Sequence, residues 1–293
     1  MRYTVSVERN GTLQEKAYYL IMRTVIAVAS HKRYPVREDK LYLPVMAGSV
    51  FMTSEETSGY LRDDSGDNIS DRNPGYSELT ALYWMWKHCD ADNIGICHYR
   101  RYFTVKSFLS RSISFAGISK RSNGKVNAVL TYDEADELMK DNRIILPAPR
   151  NYFIETNYSQ FAHAHGAEAL DEARSILETE YRDAFDRRMS MTSGHRFNMF
   201  IMRKSLMDEY CTWLFGVLFE LERRLGLNGS QACSDRIYGF VAERLLDVWI
   251  DAKGYEYYEI PWIFMEREHN IRKITGLIIR KLRAAQGKRR KKL

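Results

Sequence analysis

Short apolar runs recur along this chain between longer stretches of helical periodicity, and this alternation restricts the chain to few folds. The run at residues 25–29 reads Val-Ile-Ala-Val-Ala, and the run at 93–97 reads Asn-Ile-Gly-Ile-Cys. Neither shows the polar–apolar alternation of a half-exposed strand, so each predicts a strand buried on both faces, as in parallel sheets. Between them, Leu79, Leu82 and Trp86 follow helical spacing. The pattern predicts an α/β domain with a largely parallel or mixed sheet.

The remaining predicted elements continue this alternation. Further strands are predicted at residues 42–45, 143–147, 197–202 and 255–261. Helices are predicted at residues 77–88, where Ser77 is the expected N-cap, and at 133–140, 158–190, 206–225 and 234–250. We therefore expect one domain over residues 23–265, a Rossmann-like mixed sheet flanked by helices. Residues 1–22 are expected to be a polar N-terminal extension, and residues 266–293 a basic amphipathic tail.

The positive charge of the chain is concentrated at its C-terminal end. The formal net charge is +6, yet residues 276–293 hold eight cations and no acid, so the rest of the chain has a small excess of acids. A near-neutral body argues against a protein that wraps nucleic acid, and we expect no nucleic-acid partner. In the tail, apolar residues are interleaved with the cations, which is typical of an amphipathic helix at an anionic membrane surface. A nucleic-acid tail is the alternative.

Other global features point to a protein of a reducing compartment. The sequence has no run of eighteen apolar residues and no N-terminal signal pattern. Its four cysteines are scattered, with no Cys-x-x-Cys pair, so we expect neither a zinc site nor a disulfide framework. A cytoplasmic location fits these observations.

Two arginines follow the predicted strand at 93–97, within His98-Tyr99-Arg100-Arg101. Open α/β sheets bind ligands at the carboxyl ends of their strands. Guanidinium groups match phosphate oxygens, so this pair suits a diphosphate. The alternative is an ion-paired edge of the core.

The turn-rich segment at 62–74 is a second candidate site. Its polar side chains suit a metal or sugar-nucleotide site, and the alternative is a solvated turn. They are Asp63, Asp64, Asp67, Asn68, Ser70, Asp71 and Asn73. Asp90 and Asp92 form an Asp-x-Asp pattern that precedes its strand, so we interpret it as a surface turn.

The predicted helix at 234–250 carries a third candidate group. Arg236 and Glu243 are seven residues apart and are expected to share a face, with Arg244 adjacent. They form either a carboxylate positioned by an arginine for proton abstraction, or an internal ion pair. His195 lies in a predicted turn, and we expect it to be a surface histidine with its hydrogen bonds satisfied. Approach to a ligand is the alternative.

Ordered blocks of this sequence resemble a bacterial family of capsular and exopolysaccharide biosynthesis proteins, long labelled a domain of unknown function. The resemblance covers roughly residues 24–262. The blocks are ASHK at 29–32, PVMAG at 44–48, DDSGDNIS at 63–70 followed by Asn73, ELTALYWMWK at 78–87, GICHYRRYF at 95–103, NMFIM at 198–202, YCTWLF at 210–215 and RIYGFVAERL at 236–245.

The resemblance implies a GT-A-like glycosyltransferase. The implied donor is a nucleotide sugar, with UDP-galactose or UDP-galactofuranose suggested by the family alone. The implied acceptor is a lipid-linked oligosaccharide, reached from the cytoplasmic face of the inner membrane. The donor would be bound by Ser30 and His31 near its base or ribose, and by Asp67, Asn68, Ser70, Asn73, His98 and Tyr99. The substrates would also be bound by Glu78, Asn198, Arg236 and Arg244.

The sequence departs from the usual GT-A pattern where a metal-binding Asp-x-Asp would follow a strand. His98-Tyr99-Arg100-Arg101 stands there instead. We expect Arg100 and Arg101 to stabilise the departing diphosphate without a metal. The alternative is that Asp63, Asp64 or Asp67 holds Mg²⁺ or Mn²⁺. Glu243 is the first candidate for the acceptor base, followed by Asp235 or Glu78. A non-catalytic sugar- or nucleotide-binding scaffold is the competing function.

Overall fold

The computed structural model describes residues 23–105, 128–225 and 236–265. The strands are β1 (Thr24–Ser30), β2 (Tyr42–Met46), β3 (Leu61–Arg62), β4 (Asn93–His98), β5 (Arg101–Phe103), β6 (Ile144–Pro147), β7 (Arg150–Asn151), β8 (Ser193–Gly194), β9 (Phe200–Arg203), β10 (Tyr258–Ile260) and β11 (Trp262–Phe264). The α-helices are α1 (Asn73–Tyr76), α2 (Leu79–His88), α3 (Tyr132–Asp141), α4 (Asn157–His165), α5 (Glu168–Ile176), α6 (Thr179–Ser190), α7 (Lys204–Leu225) and α8 (Ile237–Lys253). The predicted extension 1–22 and tail 266–293 lie outside the described residues.

The central sheet is mixed. Its strand order is β10-β6-β9-β4-β1-β2-β3, with β5 paired to β4 and β11 paired to β5. Strand β1 is parallel to both β2 and β4, whereas β9 is antiparallel to β4 and β6. Helices cover both faces of the sheet, so the predicted fold class, a mixed α/β sheet flanked by helices, is confirmed.

Strand β1 shows why the centre of the sheet requires an uninterrupted apolar run. All seven of its residues are buried. Val25, Ala27 and Ala29 pack into the larger core cluster on one face, and Ile26 and Val28 into the smaller cluster on the other. Full burial of a side chain such as Ile26 stabilises the fold by about 1.5–3 kcal/mol. A polar residue in place of Ile26 or Val28 would therefore be buried among apolar side chains, which costs free energy.

The helix predicted over 158–190 is instead three helices, α4, α5 and α6. The first break is at Gly166, whose φ of 83° ends α4. Periodicity alone did not show this break, because apolar spacing continues through α5 and α6. The predicted N-cap at Ser77 is also wrong. Ser77 has a φ of 51° and α2 begins two residues later.

The strand predicted from residue 197 begins only at Phe200. Phe197 and Asn198 have φ values of 76° and 51°, which no β-strand residue adopts. This left-handed pair turns the chain into β9. It also places the Asn198 side chain at the group of carboxylates described next.

Candidate functional site

The carboxyl ends of β1 and β4 lie side by side. Ala29 is in register with His98, and the Tyr99 N–H donates to the Ala29 carbonyl oxygen at 3.2 Å. Residues 30–31 and 98–101 therefore meet at one edge of the sheet, where an open α/β sheet binds its ligand. The C-terminal strand closes this edge, since Phe264 pairs with Arg101 and the Met265 N–H donates to the Arg100 carbonyl oxygen at 2.7 Å.

Glu78 is a buried carboxylate at this edge, with 7% of its surface exposed. The Asn198 amide donates to one of its oxygens at 2.8 Å, and Arg236 donates to the other at 3.1 Å. The Asn198 amide also donates to the Gly239 carbonyl oxygen at 3.1 Å. Both Glu78 oxygens are thus held by the two residues predicted beside it as substrate ligands. The structure brings these three side chains together.

Arg236 does not lie on the helical face of Glu243, contrary to the prediction. It precedes α8 as the N-cap residue, with a φ of 70°. Its Nε donates to the Ser77 hydroxyl at 2.6 Å, and its ion pair is with Glu78. The seven-residue spacing failed as a guide because the helix does not extend back to position 236.

Glu243 is the second carboxylate of the site, and 15% of its side chain is exposed. Arg244 forms an ion pair with it at 3.0 Å. Burial raises the pKa of Glu243, and the charges of Arg244, Arg196 and Arg101 oppose this shift, whereas Glu78 adds to it. Arg244 is itself buried and also donates to the Gln160 side chain at 2.5 Å. Glu243 is therefore both a partner in an internal ion pair and a carboxyl group whose pKa is raised.

Arg101 is held by aromatic rings. Its guanidinium carbon lies 4.1 Å from the Phe197 ring centroid and 5.3 Å from that of Phe264. Its Nε is buried and has no hydrogen-bond partner within the described residues. Burial lowers the pKa of Arg101, the carboxylates of Glu243 and Glu78 oppose this, and the nearby cations Arg100 and Arg150 add to it. Arg101 remains fully charged at neutral pH, because an arginine does not deprotonate in proteins.

Arg100 is positioned by the same turn. Its guanidinium carbon lies 4.8 Å from the centroid of the Tyr99 ring. Tyr99 itself is fully buried, so its ring is a support for neighbouring side chains. Its hydroxyl lies 3.5 Å from His31 Nε2, and the two rings meet edge to face at 5.2 Å.

The two histidines of the edge are held neutral. Burial lowers the pKa of His98 to about 4, with Arg101, Arg236 and His31 adding to the shift and Glu78 opposing it. Burial also lowers the pKa of His31, assisted chiefly by Arg100 and Lys32. The positive charge of this edge therefore comes from guanidinium groups and from Lys32, whose Nζ lies 5.5 Å from the Tyr99 ring centroid.

The segment at residues 62–74, predicted to be a solvated turn or a ligand-binding loop, is partly buried and is held by internal hydrogen bonds. The Asp63 carboxylate is fully buried and accepts from the Gly48 N–H at 2.8 Å, the Ser49 N–H at 2.9 Å, the Ser49 hydroxyl at 2.8 Å and the Ser70 hydroxyl at 2.5 Å. The Asn73 amide donates to the Ser77 carbonyl oxygen at 2.9 Å, next to Glu78. These hydrogen bonds fix the loop next to the segment that carries Glu78.

The other candidate ligands of this segment have partners of their own. Asp64 pairs with Arg62 at 2.5 Å, and Asp67 accepts from the Tyr83 hydroxyl at 2.9 Å. Asn68 donates to the Gly66 carbonyl oxygen at 2.8 Å. Within the described residues, no group of three or more His, Cys, Asp or Glu side chains could hold a metal ion.

Comparison with known proteins identifies the family of this chain. A model described as a domain of unknown function, DUF4422, matches residues 25–254. The chain belongs to the DUF4422 family. No curated protein matches it. Among solved structures, the apo form of the WbbM bifunctional glycosyltransferase is similar, with 28% sequence identity and a TM-score of 0.73. The match covers 83% of this chain and 45% of that one, so the DUF4422 chain spans under half of that protein.

These findings confirm the resemblance inferred from the ordered blocks. The matched range contains Glu78, Arg100, Arg101, Asn198 and Glu243, whereas β11 lies beyond it. In the parts of this DUF4422 chain that the structure describes, no helix is long and apolar enough to cross a membrane.

The sequence analysis missed the buried group beneath this DUF4422 site. Arg196 is 3% exposed and donates to Tyr152, to Asn157, and to the carbonyl oxygens of His195 and Glu243. A single sequence contains no signal that separates such an arginine from an exposed one. Its small neighbour Gly194 is the one clue, because a Cβ there would lie 2.6 Å from Arg196.

His195 is not exposed, contrary to the prediction. It is 3% exposed, and its two ring nitrogens donate to Asp247 at 2.5 Å and to Glu259 at 3.1 Å. Burial lowers the pKa of His195, but the hydrogen bonds to both carboxylates outweigh this and raise it to about 9. Since both partners are acceptors, His195 is an imidazolium at neutral pH. It ties the turn before β9 to α8 and β10.

Proposed function

We propose that this protein is a glycosyltransferase that moves a sugar from a nucleotide-sugar donor to a lipid-linked oligosaccharide during synthesis of a bacterial cell-surface polysaccharide. The fold shared with a solved glycosyltransferase supports the reaction class. The single observation that carries the proposal is the concentration of guanidinium charge around the two carboxylates at the carboxyl edge of β1 and β4.

This edge suits an anionic leaving group. Arg100, Arg101 and Arg236 supply three cations against the carboxylates of Glu78 and Glu243, while both histidines are neutral. Within the described residues, Arg101 forms aromatic contacts and no ion pair. A diphosphate bound there would find fixed positive charge in a partly buried setting, where charge interactions are stronger than in water.

In the proposed mechanism, the nucleoside of the donor lies at the end of β1, near Ser30 and His31. Its diphosphate meets Arg100 and Arg101. As the bond between the sugar and the diphosphate breaks, the leaving group gains negative charge, and the guanidinium groups stabilise that charge. Arg101 is suited to this role because the rings of Phe197 and Phe264 fix its plane.

Glu243 is the proposed acceptor base. A raised pKa brings its basicity closer to neutral pH, where general-base catalysis is most efficient. Glu78 suits a positioning role better, because Asn198 and Arg236 already donate to its two oxygens. Asp235, the other alternative, lies outside the described residues.

We further propose that the arginines replace a metal at the diphosphate. Asp63 is committed to four hydrogen bonds from its own protein, which supports this choice over the alternative Mg²⁺ or Mn²⁺ site. Addition of EDTA should then leave activity unchanged, and a loss restored by Mn²⁺ would overturn the metal-free mechanism.

The donor and location are proposals from the family resemblance. A UDP-linked galactose or galactofuranose is the proposed donor, and the cytoplasmic face of the inner membrane the proposed location. The basic tail would hold the enzyme near its lipid-linked acceptor.

The test is a thermal-shift screen of UDP-, GDP- and CMP-sugars with and without Mn²⁺, followed by donor hydrolysis. We expect one nucleotide class to raise the melting temperature, and slow release of that nucleotide without an acceptor. A scaffold would show the shift but never release nucleotide, with or without any acceptor. Absence of both effects for every donor class would contradict the proposal.

A further inference from the structure

An exposed apolar tip stands beside the candidate site. Phe153 and Ile154 are each 67% exposed, and the adjacent Met191 is 43% exposed. These residues lie in neighbouring segments, because the chain from residue 152 to 157 runs along residues 191–192. The Tyr152 N–H donates to the Thr192 carbonyl oxygen at 2.8 Å, and the Asn157 N–H to that of Met191 at 2.7 Å. Contiguous apolar exposure of this kind marks an interaction surface.

The tip is held in its exposed form by local structure. Phe153 has a φ of 61°, which is unfavourable for a bulky residue. The Asn151 side chain accepts from the Phe153 N–H at 2.7 Å, and the Ile154 N–H donates to the Tyr152 carbonyl oxygen at 2.7 Å. A strained backbone therefore presents two large apolar side chains to the surroundings.

The tip is linked directly to the site. The Tyr152 hydroxyl accepts from Arg196, and Arg196 donates to the Glu243 carbonyl oxygen at 3.3 Å. On the other side, Arg150 lies with its guanidinium carbon 5.4 Å from the Tyr152 ring centroid and is close enough to Arg101 to influence its ionisation. The apolar tip is thus connected to the site through Tyr152 and the buried Arg196.

We propose that this tip, Phe153 and Ile154 with Met191, inserts into the interface of an anionic lipid bilayer and holds the site against it. This proposal rests on the proposed function in one respect: insertion would bring the site to a lipid-linked acceptor. Apolar and aromatic side chains flanked by cations are typical of interfacial insertion. Arg150 is the flanking cation, and among the described residues no carboxylate forms an ion pair with it. Glu155 follows the tip and is paired with His163 at 2.9 Å.

The position of the chain end favours a bilayer over a protein partner. The described chain ends at Met265, hydrogen-bonded to Arg100 at the same edge. The segment that follows it ends, by sequence, in eight cations without an acid among residues 276–293. The exposed tip and the basic segment that follows Met265 therefore both begin near the candidate site. Each cation close to an anionic membrane surface adds to the attraction.

The test is flotation of the full chain with phosphatidylcholine vesicles, with and without phosphatidylglycerol. We expect wild type to float with the anionic vesicles, and the double variant Phe153→Ser with Ile154→Ser to partition about tenfold more weakly. The matched control is Val50→Ser with Phe51→Ser, which removes side chains of 48% and 65% exposure from the turn after β2. This control should float like wild type.

Equal flotation of wild type and the Phe153–Ile154 variant would overturn the proposal, as would an equal loss in the control. A wild-type dimer that the variant converts to monomer, with vesicle binding unchanged, would assign the tip to a second copy instead. Nucleotide-sugar hydrolysis without vesicles separates this proposal from the enzymatic one. Suppose that neither wild type nor the Phe153–Ile154 variant hydrolyses any donor, and that only the variant loses flotation. The membrane-binding proposal would then be supported and the glycosyltransferase proposal contradicted.

Discussion

At the residue scale, the most informative side chain is Arg101. Most arginines of the described chain form ion pairs with carboxylates, and the carboxylate then neutralises much of the guanidinium charge. Arg101 instead lies between two aromatic rings, and its Nε is buried without a partner in the described residues. Aromatic contact fixes the plane of a guanidinium while leaving its N–H groups available. This is the arrangement that we expect of an anion-binding residue.

Replacing either arginine should impair transfer. We expect Arg101→Ala and Arg100→Ala each to lower kcat/KM by about 100-fold or more, the usual loss for a group that stabilises a developing negative charge. Arg101→Lys should recover only part of the loss, because lysine lacks the planar fork. The measurement is the steady-state rate of nucleotide release with acceptor present.

The control for these variants is Arg223→Ala, since that side chain is 71% exposed and pairs with Glu220 on the surface of α7. It should retain the wild-type rate. Near-normal turnover by both Arg100→Ala and Arg101→Ala would remove the diphosphate role from this pair.

Glu243 yields the second prediction at this scale. Glu243→Gln should lower kcat by about 100-fold or more while leaving donor binding nearly unchanged, because the amide cannot accept a proton. The raised pKa of Glu243 predicts that the acidic limb of the wild-type kcat/KM profile lies above the ordinary glutamate range. Activity rises with pH through that limb as the base loses its proton.

Glu78→Gln serves as the matched comparison. It retains the volume of the side chain and weakens the contact with Arg236, so it should raise KM more than it lowers kcat. A folded Glu243→Gln protein that transfers sugar at the normal rate would exclude Glu243 as the base.

At the element scale, the loop between β3 and α1 shows how a buried carboxylate can organise a segment rich in polar residues. Asp63 accepts from two backbone N–H groups of the Gly48–Ser49 turn and from the Ser70 hydroxyl. Gly48 has a φ of 73°, and a Cβ there would lie 2.6 Å from Asn73, so this turn requires glycine. The loop is therefore a fixed support for α1 and for the Glu78 segment.

Removal of this carboxylate should destabilise the fold. We expect Asp63→Ala to lower the free energy of unfolding by about 3 kcal/mol or more, since several buried donors lose a charged acceptor together. Ser70→Ala removes one of those donors and should cost about 1 kcal/mol. Urea denaturation measures both. Equal, small losses in the two variants would contradict a bracing role for Asp63.

The elements that the sequence predicted well are those with one dominant signal. Strands β1 and β4 could be predicted because a short, uninterrupted apolar run is typical of a strand buried on both faces, and Arg100 and Arg101 followed from their place after β4. The errors have physical causes. Arg236 was assigned to a helix face because spacing does not reveal a left-handed N-cap, and His195 was expected to be exposed because its partners Asp247 and Glu259 are distant in sequence.

At the scale of the whole molecule, His195 joins three distant parts of the chain. It lies before β9, Asp247 lies on α8, and Glu259 lies on β10. Each link spans more than fifty residues, so the cluster fixes the turn before β9 against the C-terminal helix α8 and strand β10. Its strength depends on the imidazolium form, because both partners are carboxylates.

This cluster predicts a pH dependence of stability. The pKa of His195 is about 9 in the folded protein against about 6.5 in the unfolded chain, so its contribution is fully present below pH 6.5. As the pH rises from about 6.5 through about 9, the difference in free energy of unfolding between wild type and His195→Gln should shrink by about 3 kcal/mol. Urea titrations across this range measure it, and a constant difference would contradict the prediction.

The tail yields a second prediction at this scale. Deletion of residues 271–293 should weaken co-sedimentation with anionic membranes and leave transfer to a soluble acceptor intact, because the residues of the candidate site all precede the deleted segment. Comparison with full-length protein at raised salt checks the electrostatic part. Unchanged sedimentation of the shortened chain would exclude a membrane role for the tail.

The pairing of β11 with β5 has a practical consequence for handling this protein. Strand β1 starts at the opposite edge of the sheet from His98, whereas Met265 is hydrogen-bonded to Arg100. An affinity tag or reporter fused just after Met265 would begin at the rim of the candidate site. One joined ahead of β1 would emerge at the far edge, which makes the amino end the safer place for fusions in any enzymatic assay.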